Sequence, residues 1–274
     1  MGLRINTNAS AMNSRRHLFN STVNFAKSME KLGSGLRINR ASDDAAGLAI
    51  SEGLKAENRA LNQAARNAAD GISLVQTAEG SLNEVSSLLI RMKELAIQSR
   101  NGVLTNTDRG YLSDEFYSLR DEINRIAWGA EFNGVPLLDG SGGVVSIQVG
   151  TGTDASDRVD IDLSHDIDNN AIPLTSGIWD AGLAVTASVE VDNAIRYIVG
   201  LRGDFGAIHN RLESSIRNIN NTAENLAAAN SRIRDVDVAD ESSNMTSYQI
   251  LQQAGVAMLS QANTAPQLAL SLLQ

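Results

Sequence analysis

Residues 50–96 read ISEGLKAENRALNQAARNAADGISLVQTAEGSLNEVSSLLIRMKELA. Steps of four and then three residues, from Ile50 to Ala96, meet an apolar side chain at 12 of 14 positions. A repeat of about 3.5 residues keeps one stripe of a helix against a partner, as in a coiled coil. At the rise of an α-helix this stretch spans about 70 Å, so the pattern predicts a long rod.

Two further stripes of this kind, which we call seams, follow in the chain. One runs from Leu112 to Ile126 and begins after Thr105 and Asp108, which have the spacing of a capping box. The other runs from Val191 to Val236. Its first part contains three glycines, Gly200, Gly203 and Gly206. Because glycine weakens a helix, they predict a kink or a close helix contact. We expect the long helices to bury one another in an antiparallel rod.

The same spacing returns at both ends of the chain. Neither end has a neighbour in sequence that would cover its apolar stripe, and a lone helix of this length is marginal in water. The two ends are therefore predicted to pair, or to stay unfolded until another subunit joins. The residues we assign to self-assembly are Leu18, Phe25, Met29, Leu32, Tyr248, Leu251, Met258 and Leu272.

Residues 129–180 change character, with turn signals and two short β-prone runs at 144–149 and 159–163. We predict a small β-hairpin and loops here. The alternation in 159–163 favours a solvated strand face over a calcium site, because no EF-hand loop is present. The fold prediction is mainly α, with a rod domain at 43–234 and a terminal coiled-coil domain, disordered in the monomer, formed by 1–42 and 235–274.

Composition and charge exclude several classes of protein. The 274 residues include no cysteine, which excludes disulfide frameworks, thiolate zinc sites and cysteine catalysis. A net charge of −9 argues against a nucleic-acid binder, although residues 1–42 hold seven cations and one anion. Residues 242–274 are uncharged but too interrupted by polar residues to span a membrane, and the first residues do not resemble a secretory signal.

Candidate catalytic groups are sparse. The histidines, His17, His165 and His209, are scattered, and none has a second ligand at metal-binding spacing. No P-loop, nucleophile elbow or zinc-protease motif occurs, and the glycines of 33–35 are best interpreted as a helix end and joint. We predict no catalytic, cofactor or metal site, and no enzymatic activity.

Two stretches resemble a known family. Residues 32–51, LGSGLRINRASDDAAGLAIS, are similar to the N-terminal signature of bacterial flagellin, and residues 249–255, QILQQAG, resemble its C-terminal signature. The resemblance covers roughly 1–165 and 185–274. It implies a self-assembling filament subunit for swimming motility, whose paired termini form an inner tube and whose rod forms the shell. The resemblance also implies that the subunit is exported unfolded through the flagellar type III apparatus and that it is located outside the cell.

The same resemblance implies partners. These are further copies of the chain, the flagellar cap and hook-filament junction proteins, and a chaperone on about 235–274. A Toll-like immune receptor would recognise Arg91, Leu95 and Glu115, although Ile90 stands where many recognised relatives have Gln. The short stretch between Trp128 and the third seam indicates a form without large outer domains.

Two other functions remain open at this point. A hook-filament junction protein shares the design of paired termini but forms a short ring, and would be a trace component of sheared extracellular protein. A soluble adhesin or immune ligand would use its seams only as a stalk and would never sediment. A hydrolase would have to use residues 129–180, and the length of that stretch argues against it, because it is too short for a folded catalytic domain.

Overall fold

The computed structural model describes residues 7–167 and 172–271. Five α-helices form in these ranges: α1 (Ala9–Ser34), α2 (Ala45–Ser99), α3 (Asn106–Gly129), α4 (Ala181–Arg234) and α5 (Val238–Ser271). Four strands pair into two antiparallel ribbons: β1 (Glu131–Phe132) with β2 (Val135–Pro136), and β3 (Val144–Gln148) with β4 (Arg158–Asp162). The prediction of a mainly α fold with a small hairpin region is confirmed.

The chain divides into two compact units. The terminal unit comprises Met1–Ala56 and Asn225–Gln274, and the central unit comprises Glu57–Glu224. These limits fall inside α2 and α4, whereas the sequence-based domains end near the helix ends at residues 42 and 234.

The core of the central unit is built from the predicted seams. From Leu61 onwards α2 buries the apolar positions of its repeat, and α3 and α4 contribute side chains to the same core. Nearer the start of the helix, Ile50 is 55% exposed and Leu54 is half-buried. The fully buried side chains of the α2 repeat are Ala68, Val75, Ala78, Leu82, Val85, Leu89, Met92 and Ala96. Both neighbours run antiparallel to α2. In α3, Arg109 donates to the Ser99 carbonyl and Glu115 pairs with Arg91. In α4, Asp192 pairs with Lys93 and Arg202 with Glu79. The apolar stripe of each helix is thus buried against its neighbours.

The helix α4 is continuous from Ala181 to Arg234, so the three glycines do not end it. A Cβ atom added to Gly200, Gly203 or Gly206 would meet no described atom within 4 Å. The predicted close helix contact at these glycines is therefore wrong, because they lie away from the core face of α4.

The described residues between α3 and α4, 130–167 and 172–178, contribute buried side chains to the helical core. Strand β4 alternates as predicted: Val159 and Ile161 are buried, whereas Asp160 and Asp162 are exposed. Each of these two carboxylates accepts a hydrogen bond from a serine hydroxyl. Within the described residues no group of three His, Asp or Glu side chains is placed to hold a metal ion.

The terminal unit pairs α1 with α5. The Asn8 amide donates to the Ala262 carbonyl at 2.8 Å, near the start of α1 and far along α5. The Lys31 ammonium lies 3.5 Å from Glu241, at the opposite ends of the two helices. The helices are therefore antiparallel, and the prediction of paired N- and C-terminal helices is confirmed.

Candidate self-assembly surface

The contact stripe between α1 and α5, which we call the terminal seam, is narrow. Gly255 faces Leu18, so a Cβ atom on Gly255 would lie 3.4 Å from the Leu18 Cβ. The least exposed positions of α1 are Ala11, Ser14, Leu18, Ser21, Phe25, Ser28, Lys31 and Leu32, and those among the described side chains of α5 are Glu241, Ser242, Met245, Tyr248, Gln252, Gly255, Leu259, Ala262 and Thr264. Most of them are half-buried, and many are small or polar. The seam therefore brings the helices close together but buries little apolar surface.

The residues predicted for self-assembly fall into two groups. Leu18, Phe25, Leu32 and Tyr248 are half-buried in or beside the terminal seam. In contrast, Met29, Leu251 and Met258 are 54%, 53% and 63% exposed. Leu272 lies outside the described residues.

The seam of α5 differs from its predicted register. Gln252 and Leu259 occupy the positions next to α1 that the sequence pattern assigned to Leu251 and Met258. The observed and the predicted positions both have alternating steps of three and four residues, because α5 has apolar side chains on several faces. Gln252 also contacts α1 through its side-chain amide, which donates to the Thr22 hydroxyl at 3.1 Å.

Both terminal helices leave large apolar side chains bare. On α1 these are Met12, Phe19, Val23 and Met29, and on α5 they are Val238, Ile250, Leu251, Val256 and Met258. No charged residue occurs after Glu241. A helix that is apolar beyond one stripe is usually buried on its other faces too, and exposed apolar surface of this kind marks an interface.

Backbone hydrogen bonds join the segment after α1 to the segment after α4. Leu36 and Asp235 form an antiparallel bridge, the Arg37 amide donates to the Arg234 carbonyl, and the Val236 amide donates to the Gly35 carbonyl. Gly35 ends α1 with a left-handed φ of 73°. The interpretation of residues 33–35 as a helix end and joint agrees with this geometry.

An acidic cap orders the rest of the joint. The Asp43 carboxylate accepts hydrogen bonds from the backbone amides of Arg40 at 3.0 Å and Asn39 at 3.2 Å. The Arg40 amide, with that of Asn39 and the nearby ammonium groups of Lys27 and Lys31, holds the pKa of Asp43 below its ordinary value. The joint is thus stabilised by a carboxylate in its ionised form.

The three residues predicted for receptor recognition are not equivalent. The Arg91 guanidinium donates to Glu115 at 2.9 and 2.8 Å and to Glu94 at 3.0 Å, and these bonds, led by Glu115, raise its pKa. Arg91 and Glu115 are exposed, whereas Leu95 is fully buried in the core. Leu95 is therefore inaccessible at the surface of the folded subunit.

The described residues contain no assembled catalytic group. His209 lies 3.5 Å from Glu213 on the same helix, and His17 is exposed on α1. None of the described helices has both the length and the apolarity that a membrane span requires.

Family comparisons agree with this architecture. Residues 5–142 match the bacterial flagellin N-terminal helical region, and residues 189–273 match the bacterial flagellin C-terminal helical region. The chain belongs to the bacterial flagellin family. A flagellin from Halalkalibacterium halodurans is 47% identical to this flagellin, over 98% of this chain and 99% of the relative. The flagellar filament 33 kDa core protein of Treponema phagedenis is 43% identical, again over 98% and 99%.

Two solved structures share the fold. The crystal structure of Bacillus cereus flagellin has a TM-score of 0.52 and 34% sequence identity, covering 60% of this flagellin and 94% of that chain. A putative flagellar hook-associated protein from Vibrio parahaemolyticus has a TM-score of 0.60 and covers 70% and 100%, but at 19% identity it shows likeness of fold alone.

Proposed function

We infer that this flagellin is a structural subunit of a bacterial flagellar filament, a polymer of copies of itself, and is not an enzyme. The likeness to a flagellar filament core protein along nearly the whole chain is the observation on which this rests. The bare apolar side chains of α1 and α5 supply a physical reason for self-assembly, because burying them against other copies removes them from water.

The exposed faces suggest how copies meet. The faces of α1 and α5 that the terminal seam leaves open differ in sequence. A contact between α1 of one copy and α5 of the next therefore joins two different surfaces, and each added copy leaves a further surface open. Such contacts generate an open helical array. We assign Leu18, Phe25, Leu32 and Tyr248 to pairing within the subunit, and Met29, Leu251 and Met258 to contacts between copies. Leu272 is assigned to self-assembly from the sequence pattern alone.

We also propose that 1–42 and 235–274 are disordered in the free monomer and become ordered on assembly. The half-buried terminal seam supports this, since packing of an apolar face is the main source of helix stability. An unfolded tail without charge after Glu241 would aggregate unless covered. A chaperone on about 235–274 would cover it before export through the flagellar type III apparatus.

An extracellular location and further partners follow from the family resemblance. The cap and hook-filament junction proteins would be neighbours of the filament at its ends. A Toll-like receptor would contact Arg91 and Glu115, whose side chains are accessible, and Leu95 would act from the core by supporting α2. A receptor reporter assay with Arg91→Ala tests this surface, and an unchanged response would exclude Arg91.

The alternative of a hook-filament junction protein has weaker support. The hook-associated protein from Vibrio parahaemolyticus shares only the fold, at 19% identity, whereas the filament core protein of Treponema phagedenis is 43% identical. No specific observation favours a soluble adhesin or immune ligand.

The experiment is sulfate-induced assembly of purified protein, followed by negative-stain electron microscopy, because sulfate strengthens apolar burial. The variant is Leu251→Asp, which places a charge on the bare face of α5 but outside the terminal seam. We expect a folded subunit and no filaments. Leu251→Met is the matched control, because it conserves volume and apolarity, and it should assemble. Normal filaments from Leu251→Asp would refute the proposed face.

A further inference from the structure

The methionines are concentrated in the terminal helices. Of six methionines, only Met92 lies in the central unit, where its side chain is fully buried. Met12 and Met29 of α1 and Met258 of α5 are 67%, 54% and 63% exposed. Sulfur that an oxidant can reach is therefore found on the faces assigned to contacts between copies.

No other sulfur competes for an oxidant, because the chain has no cysteine. Thioether oxidation follows exposure, so the three exposed methionines should react well before Met92. We propose that Met12, Met29 and Met258 are oxidation sites of the free subunit, and that their conversion to methionine sulfoxide stops self-assembly. This inference rests on the proposed filament function.

The oxidant is a peroxide, and hydrogen peroxide is sufficient. The thioether sulfur attacks one peroxide oxygen, a sulfur–oxygen bond forms, and the oxygen–oxygen bond breaks. Sulfur gives up two electrons, and the departing hydroxide takes a proton to become water. The products are one sulfoxide and one water for each methionine and peroxide consumed. Methionine sulfoxide reductases, one for each sulfoxide epimer, reverse the change.

Oxidation acts on the assembly faces and not on the fold of the subunit. The three side chains lie outside the least exposed positions of the terminal seam and make no part of the central core. A sulfoxide is polar and accepts hydrogen bonds, and the bare apolar side chains of α1 and α5 that would meet it between copies have no donor to offer. Burying an unpaired polar group between copies should raise the critical concentration for assembly at least about tenfold.

Assembly should in turn protect the same methionines. If neighbouring copies cover Met12, Met29 and Met258, peroxide reaches them in the subunit but not in the filament. Oxidation then controls the entry of subunits and leaves existing filaments intact.

The test begins with full-length subunit treated with hydrogen peroxide, cleared with catalase and mapped by peptide mass spectrometry. Critical concentration is measured by sedimentation after addition of sulfate and filament seeds. We expect sulfoxide at the three sites, an unchanged far-ultraviolet circular dichroism spectrum, and at least a tenfold rise in critical concentration. Treatment with both reductases should restore assembly.

The control is the variant Met12→Leu, Met29→Leu, Met245→Leu and Met258→Leu, which keeps Met1 and Met92. Met245 is included because it is half-buried only while the terminal helices are paired. This variant should assemble equally well with and without peroxide, whereas Met245→Leu alone, which keeps the three proposed sites, should lose assembly after peroxide as the wild type does. The opposite result for either variant would overturn the assignment, as would normal assembly of oxidised wild-type protein or unfolding of the oxidised subunit. If the fourfold variant assembles poorly even untreated, reductase recovery of the wild-type chain decides. Failure of the untreated wild-type chain to assemble would instead refute the proposed function.

Discussion

Gly47 has no room for a side chain. It lies in the first turn of α2, where its amide donates to the Asp44 carboxylate at 2.9 Å. A Cβ atom at this position would lie 2.5 Å from an Asp44 oxygen and 2.8 Å from the buried Ile38 side chain. We expect Gly47→Ala to lower the free energy of unfolding by about 1–3 kcal/mol, because overpacking displaces the cap and the Ile38 contact. Urea unfolding of the full-length subunit measures this.

The matched control is Gly53→Ala, in the same helix and the same unit. A Cβ atom on Gly53 would meet no described atom within 4 Å. Alanine restricts the unfolded chain and favours the helix, so this variant should be about 0.5–1 kcal/mol more stable than wild type. Equal effects at both glycines would contradict the close approach at Gly47.

The cap formed by Asp43 should make the joint sensitive to acid. Its pKa in the folded chain is below the ordinary value of 3.8, chiefly because the Arg40 amide donates to the carboxylate. Its stabilisation is therefore complete above the unfolded pKa and is lost as the pH falls through the folded pKa. An NMR titration should place the Asp43 midpoint below 3.8, and Asp43→Asn should flatten the dependence of stability on pH in that acid range. A midpoint at or above the ordinary value would contradict the cap.

At the scale of an element, α3 depends on its N-terminal capping box. The Asp108 amide donates to the Thr105 hydroxyl oxygen at 3.2 Å, and the Thr105 amide donates back to the Asp108 carboxylate at 3.0 Å. We expect Thr105→Ala to lower the free energy of unfolding by about 1 kcal/mol. The pKa of Asp108, which is lowered mainly by the Thr105 hydroxyl, should rise toward its ordinary value in this variant. Thermal unfolding measures the loss of stability, and an NMR titration measures the pKa of Asp108. Thr107→Ala, two residues further along the chain, serves as the control.

Helices with a single apolar stripe could be predicted from sequence, and those with several could not. The repeat of α2 predicted most of the residues that this helix buries, because the repeat positions from Leu61 to Ala96 lie on one stripe. In α5 the apolar side chains surround the helix, and spacing does not distinguish Leu251 from Gln252 as a seam position. Leu95 was missed as a core residue because α2 contacts two helices, which widens its buried stripe beyond a two-helix seam.

The backbone bridge of the joint could not be predicted from side-chain patterns, for a different reason. The bridge between Leu36 and Asp235 consists of backbone hydrogen bonds between residues far apart in the chain. Such bonds are available to nearly any residue, so no side-chain pattern records them. The capping box of α3, in contrast, depends on side chains three residues apart and was predicted.

At the scale of the whole molecule, one question is whether α1 and α5 of the same subunit remain paired in the filament. Leu18 and Gly255 allow a direct answer, because a Cβ atom on Gly255 would lie 3.4 Å from the Leu18 Cβ, close to the separation in a disulfide. The chain has no cysteine, so Leu18→Cys with Gly255→Cys creates a single possible bond within the subunit.

We expect this double variant to form an intramolecular disulfide under mild oxidation, seen as a mobility shift in non-reducing electrophoresis. Phe19→Cys with Gly255→Cys is the control, since Phe19 is 67% exposed and lies on another face of α1. The locked subunit should still form filaments, because the bare faces of both helices stay available to other copies. Filaments that appear only after reduction would mean that the terminal helices exchange partners during assembly, which would refute the assignment of Leu18 to pairing within one subunit.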